Sequence, residues 1–334
     1  MARSRRNRKR SPDADPSAGS AGGTGGAVAG TYDISTGTAE LVPDTFHPDA
    51  WTLMVNGVPS SHVQIGRPDV LEFEYMRWIA AIVEHQVDAR FDPSSLRVTH
   101  LGGAACSLAR YFAALWPDSR HTVVELDAKL ADYVREWFDI PRSPTVKIRV
   151  GEAGEVTRGF YPCSREIIIR DVFAGNRTPL DLTTPEFFRA VHSALYPGGL
   201  YVANCGDYSS LIGTKTELAG MSEVFRHLAV IADPPMLKGR RYGNMILIGS
   251  DRELPVEGSV EAAQLARVLL GGAVPAHYKD ERWTRALIDD TLPRTLDNRH
   301  DRADDGAGPP RRPPASLVNG TIVPESVDSQ PLPR

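Results

Sequence analysis

RVTHLGGAACSLARYFAALWPDSRHTVVELD, residues 97–127, decides how the rest of the chain is read. A β-prone run from Leu96 to Leu101 ends in Gly102-Gly103 and the small residues Ala104 and Ala105. A helix-compatible segment follows from about Ser107 to Leu115, until Pro117-Asp118 breaks it. A second strand, Thr122 to Leu126, carries Glu125 and is followed at once by Asp127. Strand, glycine turn, helix, strand and acid together make the first half of a Rossmann-type nucleotide site. Glycine lets the backbone approach a ligand, and the acid can accept hydrogen bonds from a ribose diol. The spacing is not GxGxxG, since no third glycine follows Gly103. A nucleoside carrier without a pyrophosphate, such as S-adenosylmethionine or a relative, therefore suits the turn better than a dinucleotide.

Outward from this stretch the same alternation continues. A helix is expected over Ala128 to Phe138 and a strand over Val146 to Val150, ending in Gly151-Glu152-Ala153. Glu166 to Arg170 (EIIIR) is apolar without alternation, as central parallel strands are, and it ends at Asp171. Pro185 to Leu195 reads as a helix, Leu200 to Asn204 as a strand and Leu211 to Leu228 as a helix. Ala229 to Asp233 and Asn244 to Gly249 close the sheet. The expected fold is α/β, a Rossmann-like doubly wound and mostly parallel sheet of the S-adenosylmethionine-methyltransferase type.

Upstream, TYDIST, ELVPD, WTLMVNGVPSS and HVQIG are β-prone, with Asn56-Gly57 as a hairpin turn. They predict a small β-hairpin module over residues 31–67. Pro68 and Asp69 then start a helix whose apolar face, Leu71, Tyr75, Trp78, Ile79, Ile82 and Val83, runs to about Val87. The Rossmann-like nucleoside-binding domain spans residues 68–255. A helical extension over 256–292 contains helices at Val260 to Leu270 and Asp280 to Asp290. Residues 1–30, basic and then glycine-rich, and 293–334, rich in Arg, Asp and Pro, read as disordered tails.

The 334 residues include 41% hydrophobic and 24% charged side chains, ample for a core. A net charge of −4 does not advertise nucleic-acid binding, although Arg3, Arg5, Arg6, Arg8, Lys9 and Arg10 crowd the start. Cys106, Cys163 and Cys205 share no metal-ligand spacing and read as reduced thiols of a cytoplasmic protein. The histidines show no paired ligand spacing, so no metal is expected. No apolar run has the length of a membrane span, and no GxSxG elbow occurs.

Ligands of open α/β sheets lie outside the carboxyl ends of the strands, where Glu125, Asp127, Glu152 and Asp171 all fall. The first three are candidates to line a nucleoside pocket. Glu125 would take the ribose hydroxyls, Glu152 an adenine amino group, and Ala153 would lie beside the ring. Asp171 stands where the reacting end of the ligand would lie, as a base for an incoming amine.

The order of these motifs resembles the spermidine synthase family, the polyamine aminopropyltransferases, from about Leu53 to Ser250. VNGVPSSH is similar to the family's hairpin, and LEFEYMRW to the segment bearing its tyrosine, here Tyr75. THLGGAACSL resembles the glycine loop with Gly102 and Gly103, VVELD the ribose strand, RVGEAGEV the adenine strand and EIIIRDVF the strand before the catalytic aspartate. The resemblance implies decarboxylated S-adenosylmethionine as co-substrate, held by Glu125 and Glu152. It also implies an amine acceptor oriented by Tyr75, Asp171 as base, and a homo-oligomer. Ala105 and Ala174 stand where the family has aspartates, Met76-Arg77 where it has His-Glu, and Ser60 where it has glutamine. Those departures keep two alternatives open, a methyltransferase using S-adenosylmethionine itself and a non-catalytic nucleoside-binding protein.

Overall fold

Four short β-prone pieces open the chain in this computed structural model, which describes residues 26–175 and 177–295. β1 (Gly30–Ile34), β2 (Gly37–Pro43), β3 (Ala50–Val55) and β4 (Val58–Gln64) pair antiparallel in that order. Asn56 and Gly57 turn β3 into β4 with φ of 51° and 76°. Two left-handed residues are what a tight hairpin needs to match the twist of its strands. The Asn56 side chain also accepts from Thr38 N at 2.9 Å and donates to Thr36 O at 3.3 Å, which ties this turn to the β1–β2 turn.

The elements that follow are α1 (Glu74–Arg90), β5 (Arg97–Leu101), α2 (Ser107–Leu115), β6 (Arg120–Glu125), α3 (Ala128–Trp137) and β7 (Val146–Val150). Next come α4 (Ala153–Arg158), β8 (Arg165–Arg170), α5 (Pro185–Ala194), β9 (Leu195–Asp207), α6 (Ile212–Ser222) and β10 (His227–Ala232). α7 (Pro234–Leu237), β11 (Gly243–Ser250), α8 (Val260–Leu270), β12 (His277–Lys279) and α9 (Glu281–Ile288) complete the described chain. The main sheet has the order β12-β10-β11-β9-β8-β5-β6-β7. β7, β6, β5, β8 and β9 run parallel, while β9–β11, β11–β10 and β10–β12 are antiparallel pairs. This is the mostly parallel, doubly wound sheet expected from the sequence. The chain leaves β5 toward β6 on one side while β8 pairs on the other, so a crevice opens outside the carboxyl ends of β5 and β8.

The unbroken apolar run of β8 follows from burial on both faces. Ile167 and Ile169 pack with α1 and α2, whereas Ile168 packs with α5 and α6. Each isoleucine is at most 1% exposed, which stabilises the fold by about 1.5–3 kcal/mol per side chain. A third cluster joins Leu41, Leu53 and Val63 of the β module to Ala109, Val134 and Trp137 of α2 and α3.

Several boundaries differ from the sequence reading. α1 begins at Glu74 and not at Pro68-Asp69. Arg67 and Asp69 pair in a turn, and Arg77 Nη1 donates to Leu71 O at 2.8 Å and Glu72 O at 2.6 Å, holding that segment outside the helix. α6 stops at Ser222, and His227 and Leu228, expected in the helix, belong to β10. Tyr196-Pro197-Gly198-Gly199 is a bulge inside β9, where the pairing jumps from Arg165↔Leu195 to Ile167↔Leu200. The extension expected to be helical also contributes β12 to the edge of the sheet. A three-residue strand is too short to show a period of two.

The expected tails and the basic cluster at Arg3–Arg10 fall almost wholly outside the described residues. Where they overlap, Gly26 N donates to Glu136 O at 3.1 Å, and Arg294 donates to Thr183 and Thr216 Oγ1, both at 3.1 Å. Among the described residues no helix is long and apolar enough to cross a membrane.

Candidate active site

The loop after β5 is built on close backbone approach. Gly102 has φ of 91°, and a Cβ there would sit 2.1 Å from the Asp171 carbonyl oxygen. A Cβ on Gly103 would meet Val123 Cγ1 at 2.7 Å and Glu125 Oε2 at 3.2 Å. Both glycines are therefore dictated by their neighbours. Ala104 and Cys106 also adopt positive φ, 40° and 59°, at about 1–2 kcal/mol each. The loop holds a strained conformation, a common property of ligand-binding segments. It roofs a narrow cleft of about 20 Å³ whose wall includes Met76, His100, Gly103, Cys106, Ser107 and Asp171.

Asp171 follows β8, and its N–H donates to Leu101 O at 2.8 Å, continuing the β5–β8 ladder past the strand end. Its Oδ2 accepts from the Tyr75 hydroxyl at 3.0 Å and its Oδ1 from Asn204 Nδ2 at 2.9 Å. Burial pushes the Asp171 carboxyl above its usual range, against the lowering effect of Asn204, Tyr75 and nearby Arg170. Burial and the facing Asp171 charge drive the Tyr75 phenol well above its ordinary value, so it remains a donor. The arrangement is a half-buried carboxylate clamped in one orientation and able to accept a proton. Burial, with Glu125 nearby, pushes the Cys106 thiol up to about 12, so a thiolate is not on offer in the cleft.

The other strand-end acids differ from one another. Glu125 Oε2 accepts from Gly103 N at 3.1 Å and Ala104 N at 3.0 Å, and Oε1 from Asp127 N at 3.0 Å. Glu125 thus braces the glycine loop from the end of β6. Asp127, read from the sequence as a cofactor ligand, uses both of its carboxylate oxygens in ties within the fold. Its Oδ1 caps α3 through Leu130 N at 2.9 Å, while Oδ2 accepts from Thr36 N at 2.6 Å and Thr36 Oγ1 at 2.9 Å. It is 1% exposed. Burial would raise its carboxyl, but the hydrogen bonds from Leu130, Ser35 and Thr36 outweigh that and hold it at about 2. Glu152 caps α4, accepting from Gly154 N and Glu155 N, each at 2.7 Å, beside the buried Ala153.

Two departures noted in the sequence do not face the cleft. Ala105 is fully buried and its N–H donates to Ser61 Oγ at 3.2 Å, so it packs toward the β module. The Arg77 guanidinium is turned onto its own backbone at Leu71 and Glu72. Ala174 is exposed and its N–H donates to Arg177 O at 2.8 Å, while Ser60 Oγ donates to Val58 O at 3.0 Å. Asn204 and His100 went unnoticed as site residues. Asn204 ends the run LYVAN on the strand beside β8, and the register Arg170↔Ala203 already places it next to Asp171. Among the described residues no group of three or more His, Cys, Asp or Glu is arranged to hold a metal ion.

Comparison with known proteins bears on this geometry. No family model matches the chain. The N-terminal histidine N-methyltransferase of Emericella nidulans is 30% identical over 112 residues, 31% of this chain and 19% of that protein. A polyamine aminopropyltransferase of Vibrio vulnificus is 27% identical over 195 residues, covering 58% of this chain and 62% of that protein. The chain thus spans less than two thirds of either of these curated relatives. The crystal structure of a probable spermidine synthase from Corynebacterium glutamicum is 56% identical with a TM-score of 0.79, covering 86% of this chain and 100% of that one. Identity at that level over a whole relative, on a sheet and glycine loop of this kind, is decisive for descent: the chain belongs to the spermidine synthase family.

Proposed function

We propose that the protein is an aminopropyltransferase that moves the aminopropyl group of decarboxylated S-adenosylmethionine onto a small-molecule amine. The observation that carries this reading is the carboxylate of Asp171, half-buried and clamped between Tyr75 and Asn204 at the edge of the glycine loop. Gly102 and Gly103 allow the nucleoside close to the backbone. Glu125 keeps one lone-pair site, on Oε1, beyond the three already used, enough to meet one hydroxyl of a ribose, and Glu152 with Ala153 would border the adenine. The nitrogen of the acceptor attacks the carbon bonded to the sulfonium. The N–C bond forms as the C–S bond breaks, sulfur keeps the electron pair, and the proton of the amine passes to Asp171. A sulfonium is already a good leaving group, so the side chains supply orientation and a base. Tyr75 fixes the carboxylate so that its remaining lone pairs point at the amine.

The alternative of methyl transfer drew support from Ala105 and Arg77, and neither side chain lines the cleft. Steady-state transfer with Asp171→Asn tests the proposal. Loss of the base should lower kcat by about 10²–10⁴-fold with methylthioadenosine binding retained. Unchanged turnover would remove Asp171 from the chemistry. Turnover with intact S-adenosylmethionine in place of the decarboxylated form would establish the methyltransferase. Nucleoside binding with no turnover on either donor would mark a binding protein.

A further inference from the structure

His100 is a buried imidazole on the wall of the cleft, 4% exposed, and the transfer chemistry leaves it without a role. Its Nε2 lies 3.1 Å from His121 Nδ1, and His121 Nε2 lies 2.8 Å from Ser119 Oγ. Ser119 Oγ is in turn 2.5 Å from the Trp116 carbonyl oxygen. The direction of this chain is forced from its far end. A carbonyl only accepts, so the single hydroxyl proton of Ser119 is committed to Trp116. Ser119 Oγ must then accept from His121 Nε2–H. A neutral imidazole has one N–H, so His121 Nδ1 is the lone-pair nitrogen and accepts from His100 Nε2–H. That leaves His100 Nδ1 as a fixed acceptor with no hydrogen-bond partner among the described residues.

The neutral state that this argument needs follows from the surroundings. Burial holds His100 well below its ordinary value, with His121 adding to the effect, and burial brings His121 down to about 4. The rest of the cleft wall is consistent in kind. Its lining includes the Asp171 carboxylate and no lysine or arginine. The Ser107 hydroxyl is already donated to His62 O at 3.1 Å. The side chains therefore offer lone pairs and no cation, an environment suited to an ammonium and poor for a carboxylate.

We propose that His100 Nδ1, held as an acceptor by the one-way relay through His121 and Ser119, receives the ammonium of the aminopropyl donor and selects for it. The inference rests on the aminopropyltransferase reading and supplies a partner for the donor's charged end, for which position 105 offers only a buried alanine.

The test compares the affinity of decarboxylated S-adenosylmethionine with that of the sulfonium ending in propyl in place of aminopropyl. Calorimetric titration measures both, with methylthioadenosine as the control for the nucleoside site. His100→Leu should lower the preference for the amine-bearing ligand about tenfold or more, the effect of one charge-assisted hydrogen bond, and leave methylthioadenosine affinity unchanged. His100→Asn, which keeps an acceptor near the position of Nδ1, should retain part of the preference. An unchanged preference in His100→Leu overturns the inference. If that variant fails to bind methylthioadenosine, Ser119→Ala decides. Freeing the relay should reduce the preference several-fold, and an unaltered preference overturns the inference there as well. Wild-type protein that binds none of the three ligands would overturn the nucleoside reading itself. Wild-type protein that binds them without preference would overturn only the role of His100.

Discussion

Gly102→Ala should separate two costs that glycine usually conceals, and Gly57→Ala is the control. Both positions have positive φ, 91° at Gly102 and 76° at Gly57, so both alanines incur a backbone penalty of about 1–2 kcal/mol. They differ in what a Cβ meets. At Gly57 nothing lies within 4 Å, whereas at Gly102 the Asp171 carbonyl oxygen is 2.1 Å away. The obstructing atom is backbone and cannot rotate aside, so the loop and the end of β8 must part by about 1 Å, an overpacking cost of a further ~1–3 kcal/mol. Urea unfolding followed by circular dichroism should therefore place Gly102→Ala below Gly57→Ala by that margin. Because the moving atoms carry Asp171 relative to the loop, kcat/KM for aminopropyl transfer should fall about 10²-fold in Gly102→Ala and stay near wild type in Gly57→Ala. Equal stabilities, or a Gly102→Ala enzyme with wild-type kcat/KM, would refute the claim that this contact sets the geometry of the site.

Asp127→Ala should cost about 2–4 kcal/mol in urea, combining a lost helix cap of about 1 kcal/mol with a Thr36 N–H left unpaired at about 1–3 kcal/mol. Because its carboxyl is held at about 2 against a usual 3.8, the charged contribution is complete above pH 3.8 and lost as pH falls through 2; a wild-type-to-variant gap that stays constant across that window would contradict the tie. Tyr75→Phe removes a bond that lowers the Asp171 pKa, so the acidic limb of the kcat/KM profile should move to higher pH; an unmoved limb argues against Asp171 as the base. Arg170 and Glu217, 0% and 2% exposed and 2.6 Å apart, form a buried pair whose disruption by Arg170→Met should cost about 3–5 kcal/mol. Adding Glu217→Leu should recover much of that loss, and a double variant no more stable than the single would show that the isolated carboxylate is not the cause.

How much of this was legible in the sequence follows from what each pattern encodes. The strand runs were readable because burial on both faces of a parallel sheet leaves no polar alternation, and Ile167, Ile168 and Ile169 occupy both faces in turn. The glycine turn was readable for a related reason, since only backbone without a Cβ fits at Gly102 and Gly103. The roles of the acids were not, because an acid after a strand can cap the next helix or meet a ligand, and both uses put the same residue type at the same place. Asp127 meets Thr36, which lies far away in sequence on the β module packed against α3. Ala105 reversed its meaning in the same way. As a position in a motif it looked like a missing ligand group, and in the fold it is a buried contact with Ser61 of the module. The histidine pair shows the opposite case, information present but readable only with the register. Val98 pairs with His121 and His100 with Val123 on adjacent parallel strands, so the two histidines stand two residues apart in register and share a face. A period of two applied across neighbouring strands, and not only along one, would have brought them together. Side-chain chemistry in this fold is therefore decided less by the strand on which a residue sits than by which second element arrives to meet it.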